Sequence, residues 1–304
     1  MEKGALAMID ASLQRGQPAV AVLGAGIMGS AMAHRLLSAG LAVTVWDRSA
    51  SATARLVEAG AVAARSAPEA VDSAAVVVTM LSTADAVNSV VFDGGVADAF
   101  ARGCVWAQMG TIGVEATFAA RDRIGTARPD VVFLDAPVSG SRGPAENGQL
   151  LILASGPPTA ADIVGPVFAA IGRKTVWLGD AGKGTQMKLV VNAYMSILIE
   201  GVAEALELAD RLGIGHRQLE DAIEGGPLDA PIADAKLHKM DQRDFAAEFP
   251  LEWALKDVDL AISAAKGDDL PLLAALSHQW HHAVDAGHGR QDVAAARLAL
   301  GRQS

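Results

Sequence analysis

The chain has 304 residues, 51% of them apolar, and a formal charge of −10 from 25 basic and 35 acidic side chains. That length is enough for one large domain or two ordinary ones, and an acidic balance with no basic block argues against nucleic acid or an anionic membrane as partner. A single cysteine, Cys104, excludes an internal disulfide and suits a reducing, cytoplasmic compartment.

Residues 1–17, MEKGALAMIDASLQRGQ, have no continuous apolar core and no small-residue cleavage signature, so they read as a loose extension and not as a signal peptide. From Ala19 to about Gly179, short β-rich runs (AVAVLG, AVTVWD, AAVVVTML, CVWAQMG, VVFLDAPVSG, LLILASG, KTVWLG) alternate with alanine-rich helical stretches. Continuous apolar strands alternating with helices predict an α/β domain of Rossmann type, with a doubly wound, mostly parallel sheet covered on both faces. Cys104, in the strand-like CVWAQMG, reads as a small core residue.

After Gly179 the strand signal stops. Helices are expected over residues 185–212, 217–223, 251–266 and 271–285, with a last helical segment from Gln291; 225-GGPLDAP-231, 267-GDD-269 and 286-AGHG-289 punctuate them. The shift near Gly182 divides the chain into a dinucleotide-binding domain, 18–181, and an all-helical substrate and dimerisation domain, 182–304. The longest apolar run, 189–199, is interrupted by Asn192 and Ser196 and stopped by Glu200, so no membrane span and a soluble protein are expected.

The first chemical motif is Gly24-Ala25-Gly26-Ile27-Met28-Gly29, directly after an apolar strand and before a helix. In a dinucleotide site Gly24 permits the tight turn, Gly26 lets the backbone approach a pyrophosphate, and Gly29 lets the helix pack against the strand. An acidic residue, Asp47, ends the second strand roughly twenty residues on, as the dinucleotide fingerprint requires. Asp47 favours NAD through a ribose hydroxyl, whereas Arg48 and Ser49 suit the 2′-phosphate of NADP.

The second is 182-GKGTQMKLVVNAYMSILIEG-201, which places Lys188 and Asn192 four residues apart on one face of an apolar helix. Such a helix is expected to begin at a domain interface, where ligand sites form, and desolvation beside it would bring a lysine down toward the working range. The helix is also too long for one small domain to cover, so a homodimer through the helical domain is expected.

Four motifs in this order resemble those of the β-hydroxyacid dehydrogenase family, which includes 3-hydroxyisobutyrate dehydrogenase and the glyoxylate and succinic semialdehyde reductases. They are 24-GAGIMG-29, 135-DAPVSGSRGPAENGQL-150, the GxGxxxKxxxN pattern of Gly182, Gly184, Lys188 and Asn192, and the KDxxLA pattern of Lys256, Asp257, Leu260 and Ala261. The resemblance implies hydride transfer between NAD or NADP and a small carboxylate substrate, a β-hydroxy acid or the matching semialdehyde or keto acid. Lys188 would be the general acid/base and Asn192 its orienting partner. Ser139 and Gly140 would bind the substrate carboxylate, Lys256 would add charge near carboxylate or cofactor, and Leu81 and Thr111 would lie along the cofactor with Gly24, Gly26, Ile27, Met28 and Gly29.

Three departures stand out. Gly110 replaces the serine common before that threonine; Ser141 and Arg142 follow Gly140 where a second glycine is common, so Arg142 either meets a second anionic group or sits in solvent. WDRS stands nearest the family's WNRT, which goes with NADP and tips the cofactor that way. His278, His281 and His282 lack the carboxylates or cysteines of a metal site, and no metal is expected. An imine reductase is the near alternative and a non-catalytic nucleotide-binding protein the distant one; an intact Lys188 and Asn192 speak against both.

Overall fold

A computed structural model describes residues 18–266 and 269–300; the extension and most of the 267-GDD-269 turn lie outside the described residues. The chain divides after Lys188 into two compact units.

The first unit is built on six parallel strands: β1 (Val20–Leu23), β2 (Val43–Trp46), β3 (Val62–Ala63), β4 (Val76–Thr79), β5 (Val105–Gln108) and β6 (Val132–Asp135). Their order, β3-β2-β1-β4-β5-β6, is that of a doubly wound sheet, and the order reverses between β1 and β4, where such sheets bind ligands. Alternate side chains point to opposite faces, so the continuous apolar runs feed two cores. Val20, Val22, Val76 and Val78 meet Met32 and Leu36 on one side, while Ala21, Leu23, Val77 and Trp106 meet Ile124 and Phe133 on the other. Each such buried aliphatic side chain contributes roughly 1.5–3 kcal/mol. The helices between the strands are α1 (Ile27–Ser38), α2 (Ala50–Glu58), α3 (Ala67–Val71), α4 (Ala84–Val87), α5 (Val96–Ala99) and α6 (Val114–Ala127).

The run VVFLDAPVSG, expected as one strand, is two. Pro137 has no N–H for a ladder, and the chain leaves the large sheet after Asp135. It re-enters as β7 (Val138–Ser139), antiparallel to β8 (Leu150–Ala154), which pairs in parallel with β9 (Gly172–Trp177) in a separate three-stranded sheet. Helices α7 (Arg142–Glu146) and α8 (Ala161–Ile171) connect these strands.

Helix α9 (Lys183–Leu212) begins in the first unit and runs into the second, which adds α10 (His216–Ile223), α11 (Pro231–Asp241), α12 (Leu251–Ala265) and α13 (Pro271–Ala283). Two expectations are corrected. Residues 231–241, of which Pro231 closed an expected turn and the rest had no expected element, are helical, with Pro231 at the first turn where its missing N–H does no harm. The segment after Gln291 forms a 3-10 helix, Val293–Ala299, and not an α-helix. The core of this unit gathers Leu206, Leu237, Met240, Leu255, Val258, Leu276 and Trp280, all buried.

By length and apolarity alone α9 is long enough to cross a membrane. It carries, however, a row of buried polar side chains at four-residue spacing, Asn192, Ser196 and Glu200, and two of these bond to residues of the same unit, Asp257 and Trp280. That is the pattern of a core helix.

Candidate active site

At the end of β1 the glycine loop has the geometry its spacing implied. Gly24 has φ +101°, and a Cβ there would lie 2.6 Å from Met80 O; a Cβ on Gly29 would lie 1.8 Å from Gly24 O. Only glycine fits either place. Gly26 faces open space, with nothing within 4 Å of where a Cβ would stand. It precedes α1, whose first turn carries no acidic residue and whose start has no side-chain cap, so backbone N–H groups are offered to an anion beside Ile27 and Met28. These features fit the pyrophosphate of a dinucleotide.

Asp47 sits at the end of β2, and both its carboxylate oxygens accept backbone N–H bonds: Oδ2 from Ala25 at 2.7 Å and Oδ1 from Ser49 at 2.8 Å. It therefore braces the glycine loop against the second strand. Arg48 and Ser49 beside it are exposed.

The third wall comes from the ends of β4 and β5. A Cβ on Gly110 would lie 2.2 Å from Leu81 O, so the residue that departs from the family's serine is one this backbone demands. Leu81 in turn approaches Gly24, its Cδ2 3.1 Å from the Cβ position there. Under the loop that carries Thr111, Trp106 Nε1 donates to Thr79 Oγ1 at 2.9 Å, Thr79 donates to Gln108 Oε1, and Gln108 Nε2 donates to Gly110 O at 2.9 Å. This buried chain fixes the loop from below.

In the motif that opens with Asp135, Ser139 lies on β7 and Gly140 follows with φ +134°; a Cβ at Gly140 would press on Leu150 Cδ2 at 2.9 Å. Arg142 pairs with Glu146 one turn along α7 at 2.7 Å, with both side chains about half exposed.

Lys188 and Asn192 occupy successive turns of α9, as expected. Asn192 is buried, and its Nδ2 donates to Asp257 Oδ2 at 2.6 Å; Lys256 Nζ lies 2.7 Å from Asp257 Oδ1. A carboxylate only accepts, so the bond to Asp257 identifies the nitrogen side of the Asn192 amide and fixes its orientation. Asp257 thus joins two site residues predicted separately, Asn192 and Lys256. Sequence reasoning quoted Asp257 within a motif and gave it no role; its partner lies 65 residues away.

Outside this constellation, His282 Nε2 is 3.3 Å from His278 Nε2 and His281 pairs with Asp259 at 3.1 Å, all on an exposed face of α13. Cys104 is buried, and burial pushes its thiol up to about 12, so it stays protonated and inert.

Two sequence families match the chain. The NAD binding domain of 6-phosphogluconate dehydrogenase covers residues 19–179, and the NAD-binding domain of NADP-dependent 3-hydroxyisobutyrate dehydrogenase covers residues 182–299. Glyoxylate/succinic semialdehyde reductase 1 of Arabidopsis thaliana is 36% identical over 281 residues, which is 91% of this chain and 96% of that protein. The structure of 3-hydroxyisobutyrate dehydrogenase from Salmonella typhimurium matches with a TM-score of 0.85 at 27% identity, covering 92% of this chain and 99% of that one. The corresponding enzyme of Mycobacterium tuberculosis matches with a TM-score of 0.83 at 28% identity, over 94% of this chain and all of that one.

Proposed function

Because this chain belongs to the β-hydroxyacid dehydrogenase family of NAD(P)-dependent oxidoreductases, we propose that it interconverts a short carboxylic acid bearing an aldehyde or ketone with the matching hydroxy acid, using Lys188 as general acid/base. The observation that supports this most is the α9 pair, with Lys188 one turn from a buried Asn192 whose amide is oriented by Asp257. When bound, the nicotinamide supplies or accepts the hydride. The residues do the rest: Lys188 gives a proton to the carbonyl oxygen in reduction or takes it from the hydroxyl in oxidation. Asn192 Oδ1 accepts from the ammonium or the substrate hydroxyl, keeping the proton in line. The Ser139 hydroxyl and the Gly140 backbone hold the substrate carboxylate, and Lys256 adds positive charge toward carboxylate or cofactor.

NADP is the proposed cofactor. Asp47 gives both oxygens to the loop backbone, which leaves Arg48 and Ser49 exposed at the end of β2 to meet a 2′-phosphate. The preference is tested by kcat/KM for NADPH against NADH. Arg48→Ala should cost about tenfold or more with NADPH and leave NADH nearly unchanged; equal losses would reverse the assignment.

The decisive experiment is turnover of NADPH with glyoxylate and succinic semialdehyde by wild type and Lys188→Ala. General acid/base loss should lower kcat by about 10²–10⁴-fold with cofactor binding intact. A variant as fast as wild type would remove Lys188 from the chemistry, and turnover of cyclic imines alone would move the chain to imine reduction. Cofactor binding with no turnover of any substrate would favour a non-catalytic role. The assembly proposed is a homodimer through α9, on which Val190, Tyr194 and Leu212 are each 64% exposed and Leu208 57%. Light scattering should give twice the chain mass, and Tyr194→Asp with Leu208→Asp should halve it.

A further inference from the structure

We infer that Asp135 is the positioning residue of this site: its carboxylate pins the first turn of α9 and thereby sets where Lys188 stands relative to the substrate loop. The inference rests on the reading of Lys188 given above. Asp135 is the last residue of β6, wholly buried, and it opens the 135-DAPVSG-140 segment. Its Oδ2 accepts from Thr185 N at 2.8 Å, Ser155 Oγ at 3.0 Å and Gly182 N at 3.1 Å, and its Oδ1 accepts from Thr185 Oγ1 at 2.7 Å. Ser155 Oγ also accepts from Gly184 N at 2.8 Å. Three backbone N–H groups at the start of α9, which no helical carbonyl could satisfy, are thus taken up by Asp135 and by the serine it holds.

The two glycines of the GxGxxxK pattern acquire a physical reason from this contact. A Cβ on Gly184 would lie 2.3 Å from Leu153 O and 3.0 Å from Asp135 Oδ2, so any side chain would push the helix off the carboxylate. Gly182 has φ +106°, and a Cβ there would lie 2.2 Å from Phe118 Cε1. The pattern is that of a helix start pressed onto an acidic anchor. Thr117 Oγ1, from α6, lies between Thr185 Oγ1 at 3.2 Å and Gly113 O at 2.8 Å. One carboxylate therefore connects three pieces: the strand leading to Ser139 and Gly140, the helix bearing Lys188, and the end of the loop bearing Thr111.

A carboxylate at the start of α9 also opposes the positive end of the helix dipole, close to where Lys188 must hold its proton. Burial pushes the Asp135 pKa up, while Thr185, Ser155 and Gly182 pull it back by donating to the anion. The other charges at this helix start are Asp180, Lys183 and Arg121, whose guanidinium reaches Ala181 O from α6; all three are at least partly exposed and screened by solvent.

The test compares Asp135→Asn, nearly identical in shape, with wild type. It measures kcat with succinic semialdehyde, Kd for NADPH, and the pH dependence of Lys188 labelling by trinitrobenzenesulfonate, read by peptide mass spectrometry. The labelling needs no substrate, so it still decides the role of Asp135 if the wild type proves inactive and the functional reading fails. The expected result is a fall in kcat of about ten- to a hundredfold and a Kd for NADPH within about twofold. The Lys188 labelling midpoint should move down by roughly half a pH unit, because loss of a negative charge at the start of its helix disfavours the ammonium. A folded Asp135→Asn protein with kcat and labelling midpoint both unchanged would overturn the inference. Should that variant not fold, Thr185→Val and Ser155→Ala each remove one bond to the anchor; both are expected to lose kcat several-fold, and wild-type values in both would overturn it equally.

Discussion

The two units solve burial in different ways. In the first, apolar strands alternate sides and fill two continuous layers around the sheet, while Asp47, Gln108 and Asp135 hold the loops at the sheet's C-terminal edge. The second is a set of helices tied through their interior by polar pairs between distant residues. These are Lys236 with Asp292, Asn192 with Asp257, and Glu200 with Trp280, separated by 56, 65 and 80 residues. An apolar layer yields by degrees when one side chain shrinks, whereas a polar tie loses its compensation at once when one partner goes. The helical unit is therefore where single substitutions should cost most.

The strongest test is Asp292. Its Oδ1 meets Lys236 Nζ at 2.8 Å and the Ala294 N–H at 3.2 Å, and its Oδ2 accepts from Glu248 N at 3.0 Å and Phe249 N at 3.2 Å. Asp292→Ala would leave a buried ammonium with only the more distant Glu248 carboxylate, 3.6 Å away, and would strip three N–H groups of their acceptor, so about 4 kcal/mol should disappear from urea unfolding. Lys236→Met should cost clearly less, because the carboxylate keeps its backbone donors. Equal losses would mean that the ion pair alone, and not the backbone bonds, carries the tie.

Glu200 gives the next largest effect and the one with a pH signature. Trp280 Nε1 donates to its Oε2 at 2.6 Å, while its Oε1 and the nearby Ser196 Oγ are buried with no hydrogen-bond partner among the described residues. Burial, aided by Glu204 and opposed by Trp280, pushes its pKa up to about 7. A carboxyl whose folded pKa is raised favours folding at low pH, and that contribution is lost as pH climbs from the ordinary carboxylate range through about 7. Wild type should lose about 3 kcal/mol of stability over that window from this group. Glu200→Gln should flatten the curve and be the more stable protein at pH 8; parallel curves for the two proteins would show that Glu200 does not titrate in the fold.

Asp257→Asn tests the tie nearest the chemistry. With an amide facing an amide, Asn192 loses the partner that dictates its orientation, and kcat should fall about tenfold with a smaller change in stability, about 1–2 kcal/mol. Loss of stability with unchanged kcat would make Asp257 a structural tie only.

The same contrast explains what was legible in the sequence. Strands β1, β2, β4, β5, β8 and β9 announce themselves as short apolar runs because layer burial leaves a local pattern, and the glycine loop is legible because close backbone approach admits only glycine at fixed spacing. Strand β3 has two residues, too few to carry a period, and the break at Pro137 was hidden inside a run that looked continuous. Helix α11 is hard to see in the sequence because it follows directly on the turn-rich 225-GGPLDAP-231, and the proline that closes that run is its first residue. In the site, Lys188 and Asn192 could be paired by helical spacing. Asp135 and Asp257 could not be given work from sequence, since what they do is set by partners 50 and 65 residues away.

The smallest effect belongs to the apolar side of the comparison. Cys104 and Glu200 are both pushed up by burial, to about 12 and about 7, yet the consequences differ because a thiol is already neutral over the physiological range. Raised above its ordinary value, the thiol's contribution is complete at neutral pH and is lost only in strongly alkaline solution. Cys104→Ala should therefore cost only about 1 kcal/mol for the lost sulfur contacts, the same at pH 6 and pH 8. The native thiol should react with dithionitrobenzoate at under about a thousandth of the rate of the urea-unfolded chain, because both the layer and the missing thiolate protect it. Fast labelling of the folded protein would mean that the layer over β5 opens readily, and that the apolar unit, not the tied one, is the weaker half.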